Sequence, residues 1–127
     1  MESPELNHLR RIALDLPEVN ERLSHGAPCF FVQDKRPLCY FHDHHHDDRV
    51  SLWFPAPLGV QDELIAFGPD QFFKPPMSSS GVFKNWVGVF LDLPGENGPD
   101  WDQIAVLLEH AFRHVAPKQL IQELEKR

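Results

Sequence analysis

The sequence predicts an α+β fold of two layers, an antiparallel sheet covered by helices from the two ends of the chain. Three observations carry that class. Apolar residues recur at helical spacing near both ends. Between them the period shifts towards that of strands joined by tight links, which implies a meander. There is no regular alternation of strand and helix of the kind that builds a parallel sheet.

Each element follows from local chemistry. Ser3 can cap a first helix, with Pro4 suited to its first turn and Glu5 to its dipole. Leu6, Leu9, Ile12, Ala13 and Leu16 then form one apolar stripe, and Leu16-Pro17 ends it, because the residue before proline avoids helical angles. Residues 21–25 read as a short strand broken at Gly26-Ala27-Pro28. Residues 29–33 and 37–42 read as a hairpin around Asp34-Lys35, and residues 49–54 as a further strand in which Val50, Leu52 and Phe54 alternate with Arg49, Ser51 and Trp53. Pro55-Ala56-Pro57 stops the sheet, residues 61–67 form a short helix, and residues 69–85 look irregular. Residues 86–91 return to strand, with Val87, Val89 and Leu91 on one face and Trp86, Gly88 and Phe90 on the other. Asp100 caps the longest helix, with Gln103 completing a capping-box pattern. Its stripe is Trp101, Ile104, Leu108, Ala111, Phe112 and Val115, and a short final helix covers residues 118–126.

The 127 residues fit one domain, 1–127, and 42 % hydrophobic content is enough for a core without a disulfide or metal staple. No apolar run approaches a membrane span, and MESPELNHLRR has no signal-peptide core, so a cytoplasmic protein is expected with no membrane partner. The net charge of −7 excludes a protein that coats polyanions indiscriminately. That charge is uneven. Residues 71–91 carry Lys74 and Lys84 and no acid, together with Phe72, Phe73, Phe83, Trp86 and Phe90. Rings interleaved with lysines can stack bases and neutralise phosphates. They can equally be core with Phe72-Phe73 as a lid over a pocket.

His42-Asp43-His44-His45-His46-Asp47-Asp48 carries metal-ligand chemistry, and a strand running through it would put His42, His44 and His46 on one face. A solvated turn is the plainer reading. His110 and His114 stand at i and i+4, but Ala111 occupies the place of the catalytic Glu of zinc peptidases, and both face away from the Leu108/Phe112 stripe. Ser78-Ser79-Ser80-Gly81 with Lys84 could hold an anion, yet it lacks the P-loop pattern. Cys29 and Cys39 would lie on opposite sheet faces as buried small hydrophobes, unable to pair. No nucleophile elbow or nucleotide fingerprint occurs, and Glu18/Glu21 and Asp62/Glu63 sit in polar contexts. No catalytic constellation and no cofactor is expected.

Several stretches together resemble one family: LDLPEVNE at 14–21, SHGAPCF at 24–30, HHDDRVSLW at 45–53, QFFKPP at 71–76, NWVGVFLD at 85–92, then Asp100-Trp101-Asp102 and Val115-Ala116-Pro117-Lys118. The chain is similar to the MmcQ/YjbR family of small bacterial proteins over nearly its whole length. That resemblance implies a CyaY-like (frataxin-like) fold, a sheet with helices on one face. The family is commonly labelled DNA-binding, so the resemblance implies a possible DNA partner; fold alone does not fix function. Where relatives often carry a Tyr and a glycine-rich run, this chain has Met77 and the serines. Arg10 and Arg11 interrupt the acids of the first helix, so iron binding is not carried over. The combined expectation is a non-enzymatic binding module. Its surface would be Phe72, Phe73, Lys74, Lys84 and Trp86, helped by Lys35, Arg36 and Arg49. The alternative is a small-ligand or metal-binding protein using residues 42–48 or a pocket near Phe72-Phe73.

Overall fold

A computed structural model describes residues 3–44, 48–76, 81, 83–93 and 99–127. Helix α1 spans Pro4–Ala13, and Ser3 Oγ accepts from the Leu6 N–H at 3.0 Å as the cap chemistry requires. It buries Leu6, Leu9 and Ala13 and ends three residues before Leu16. The chain must reverse ahead of the first strand, and the bonds Leu16 N–H to Ala13 C=O and Val19 N–H to Leu16 C=O make that turn. Leu16 still packs against the core.

Strand β1 (Val19–Ser24) begins earlier than the sequence suggests and pairs with β2 (Ala27–Val32). The turn between them is only His25-Gly26, both with positive φ (53° and 81°). Such two-residue turns match the twist of the flanking strands, so Ala27 and Pro28 belong to β2 instead of breaking the chain. Strand β3 (Arg36–Asp43) pairs with β2 in the register the sequence predicts, Cys29 opposite Tyr40 and Phe30 opposite Cys39. Phe31 then faces Pro37, which leaves Leu38 as an extra residue. This bulge lets Leu38, Cys39 and Phe41 all reach the same core.

Strand β4 (Val50–Phe54) follows, then helix α2 (Val60–Phe67), a two-residue strand β5 (Phe72–Phe73), strand β6 (Val87–Phe90), helix α3 (Trp101–Val115) and helix α4 (Lys118–Glu125). The sheet order is β1-β2-β3-β4-β6-β5, all antiparallel. β5 falls in the stretch expected to be irregular, because two residues are too few to show alternation. Asp100 caps α3 by accepting from the Asp102 and Gln103 N–H groups. The Gln103 side chain does not complete the capping box. Its Oε1 accepts from Gln71 Nε2 at 2.7 Å, which ties α3 to the start of β5.

The helices cover one face of the sheet. α3 packs over β3 and meets α1, and the core between the layers contains Leu9, Phe30, Leu52, Phe72, Val87, Val89, Ile104, Leu108 and Phe112. Yet every residue of β4 is buried, Ser51 and Trp53 included. The second face of the sheet is therefore covered as well, by a different set of residues. No helix among the described residues is long and apolar enough to cross a membrane.

Candidate binding face

The register places one transverse row across all six strands on the face away from the helices. It runs Arg22, Cys29, Tyr40, Trp53, Gly88, Phe73. A second row runs His42, Ser51, Phe90. Directly opposed residues on an antiparallel pair point to the same side, so these two rows stack aromatic rings over the outer face.

At the centre the rings close into a cluster. The His42 and Trp53 centroids lie 4.0 Å apart, and Phe83 meets Trp53, Trp86 and Tyr40 edge-on at 5.2, 5.1 and 5.6 Å. Edge-to-face contacts of this kind add to the burial of the rings. Phe83 and Trp86, which precede β6, are the cover that makes β4 buried on both sides. Trp86 is only 8 % exposed and belongs to this packing.

Towards the β5 edge the face opens. Phe73 stacks on Phe90 with centroids 4.5 Å apart and planes 26° from parallel. The Arg49 guanidinium lies 3.8 Å over the Phe90 ring, held by Asp92 through Nε at 3.0 Å. Asp92 also accepts from the Val50 N–H at 3.0 Å, so one carboxylate fixes both the cation and the start of β4. The Arg49 side chain is 39 % exposed, and Phe73 and Phe90 are half-buried. Gly88 creates the space for this stack: a Cβ there would sit 2.2 Å from the Phe73 ring. At the opposite edge, Arg22 lies 3.8 Å over Phe31 and bonds Asp34 at 2.7 Å.

The structure divides the residues singled out by sequence. Arg49 and Phe73 meet on the open stack. Lys84 is exposed next to Phe83. Phe72 lies in the core beneath, 1 % exposed, so it is packing and not a lid. Lys74 turns to Asp62 on α2 at 3.6 Å. Lys35 and Arg36 lie at the β2–β3 turn, where Arg36 donates to the Val115 C=O at the end of α3. They stand at the end of β3 opposite Arg49 and do not join its surface.

The histidines also separate. β3 stops at Asp43 and His44 takes a positive φ of 57°, so no strand runs on to align His42 with His44. His42 is 6 % exposed within the aromatic cluster, whereas His44 is exposed and bonds Asp43, which raises its pKa. His46 lies outside the described residues, as does the serine run 78–80. Among the described residues no three His, Cys, Asp or Glu side chains are grouped to hold a metal ion. Burial pushes the Cys29 thiol up to about 12 and the Cys39 thiol well above its ordinary value. Burial raises Tyr40 too.

Tyr40, Trp53 and Asp92 complete this face, and the sequence did not join them to Phe83, Gly88 and Phe90. The available signal was the unbroken run Val50–Phe54, since a strand apolar at almost every position is one covered on both faces.

The structure thus defines a class of α+β protein whose antiparallel sheet carries helices on one face and aromatic rings on the other. Within that class the chain belongs to the YjbR family, whose model matches residues 14–114. Among solved structures it is similar to the Deinococcus radiodurans protein DR2400, of the domain family DUF419. The TM-score is 0.67 at 18 % identity, over 90 % of this chain and 80 % of that one. At that identity the likeness concerns the fold. No curated protein matches the chain.

Proposed function

We propose that this protein is a non-enzymatic binding module that receives single-stranded nucleic acid on the open end of its aromatic face. The observation that carries the reading is the Phe73–Phe90 stack with Arg49 over Phe90, with Lys84 exposed beside Phe83 in the chain. Half-exposed rings offer bases a stacking platform, and a guanidinium beside them can neutralise the adjoining phosphate. A single strand suits this surface better than a duplex, whose bases are already stacked. The net charge of −7 opposes general attraction to a polyanion and confines contact to this patch. Two buried cysteines on opposite faces of the sheet, both unpaired, fit a reducing cytoplasmic setting.

The test is anisotropy of a labelled oligothymidylate, with a duplex of equal length beside it, at low and moderate salt. The single strand is expected to bind at micromolar protein, more tightly at low salt. Phe73→Ala should weaken it by about tenfold, since one stacked base is worth roughly 1–3 kcal/mol and Phe90 is already covered by Phe73 and Arg49. No salt-dependent binding of either form overturns the proposal.

A further inference from the structure

The two edges of the sheet are unlike. β5 has two residues and α2 packs beside it, whereas β1 runs six residues and no strand among the described residues pairs on its outer side. The β1–β2 turn fixes which main-chain groups that edge presents. In a two-residue hairpin the residues flanking the turn, Ser24 and Ala27, exchange both bonds. Alternate pairs behind them, Arg22 with Cys29 and Asn20 with Phe31, do the same. The bond from the Gln33 N–H to the Glu18 C=O at 2.8 Å continues the series. The N–H and C=O of Glu21 and Leu23 therefore point away from β2, and among the described residues no backbone group bonds them. Val19, next in that outward set, already donates to the Leu16 C=O.

Open edges are commonly guarded by charged side chains. Here both charges of β1 are drawn inwards. Glu21 accepts from Nε and Nη2 of Arg10 on α1 at 2.8 and 2.9 Å. Arg22 bonds Asp34 at 2.7 Å and lies 3.8 Å over the Phe31 ring, on the β2 side. What stands at the edge is Leu23, 70 % exposed.

We infer that β1 is the contact between two copies of this chain, joined antiparallel about a two-fold axis normal to the sheet. Opposed residues on an antiparallel pair point to the same side, so Glu21 faces either Glu21 or Leu23 of the second copy. Glu21 opposite Leu23 keeps the carboxylates apart and uses the main-chain groups left without a bond. Each such pair exchanges both bonds, and the two leucines become diagonal neighbours across the axis, within side-chain reach. A second copy fits this edge because the pairing is self-complementary: the residues that offer the groups and those that receive them are the same two on β1. The contact is at the low end of interface sizes, so the dimer is weak. With −7 on each copy, added salt strengthens it.

The test is sedimentation equilibrium of the full chain from about 10 µM to about 1 mM, the range a contact of this size requires, with amide exchange at both extremes. A reversible monomer–dimer equilibrium is expected, tighter at high salt. The Glu21 and Leu23 amides should exchange several-fold more slowly in the dimer, while Asn20, Arg22 and Ser24, already bonded to β2, should change little. Leu23→Lys puts a charge on the exposed edge without touching the core and should weaken the dimer about tenfold or more. Leu23→Pro removes the outward N–H, leaves the bonds to β2 in place and should abolish the dimer. A monomer at the highest concentration overturns the inference. So do a dimer that Leu23→Lys leaves unchanged, protection confined to other amides such as those of β5 and β6, or association that weakens as salt rises.

Discussion

At Gly88 an added methyl group would enter the Phe73 ring, so Gly88→Ala must displace that ring from the sheet. Overpacking of this kind costs about 1–3 kcal/mol. The urea midpoint should fall accordingly, and Phe73→Ala in the same chain should recover most of the loss; two additive losses would show that the contact is not the cause. The thiols give a second outcome at this scale. Cys29 keeps its proton up to about 12 in the folded state, while the unfolded chain releases it near 9.0. The unfolded state then binds fewer protons, so stability falls as pH rises through that window. Native protein should also react slowly with thiol reagents at pH about 8, and fast after denaturation. His44 is raised chiefly by its bond to Asp43. Its contribution is present at low pH and lost as pH rises through the raised value; Asp43→Asn should move the titration of the His44 ring protons downwards in NMR spectra.

Caps mark the starts of α1 and α3, and they were legible because a cap is a matter of three or four neighbouring residues. Asp100→Ala removes the acceptor of two N–H groups and should cost about 1 kcal/mol in chemical denaturation. Gln103→Ala should leave the helix content unchanged and loosen Gln71 at the start of β5, seen as faster amide exchange there. An equal loss of α3 helicity in both variants would mean that the capping box forms after all. The strands were legible where alternation ran for five residues or more. β5 and the bulge at Leu38 were not. A two-residue strand has no period, and a bulge is set by what its partner strand presents, here Phe31 against Pro37. The Arg49–Asp92 pair was hidden for the same reason, since it joins residues 43 positions apart.

For the molecule as a whole, the charge of −7 sets how any polyanion must be met. If Arg49 and Lys84 are the two cations in contact, the logarithm of the binding constant should fall with that of salt at a slope of roughly −1.4. A slope several times steeper would show that Lys35 and Arg36, at the other end of β3, take part after all. Arg49→Ala should reduce the slope by about half without changing the fold, because Asp92 retains the Val50 N–H.

The sequence by itself determined the α+β class, both terminal helices, the register of the β2–β3 hairpin and the family resemblance. These rest on local periodicity, caps and an ordered set of short motifs. Tertiary structure alone decided which rings are core and which are surface. Phe72 and Phe73 are adjacent, equally aromatic and separated by one step of the pleat; one faces the helices and the other an open stack over Gly88. Only the pairing of β5 with β6 fixes which side each takes, because alternation assigns opposite faces but cannot say what covers them.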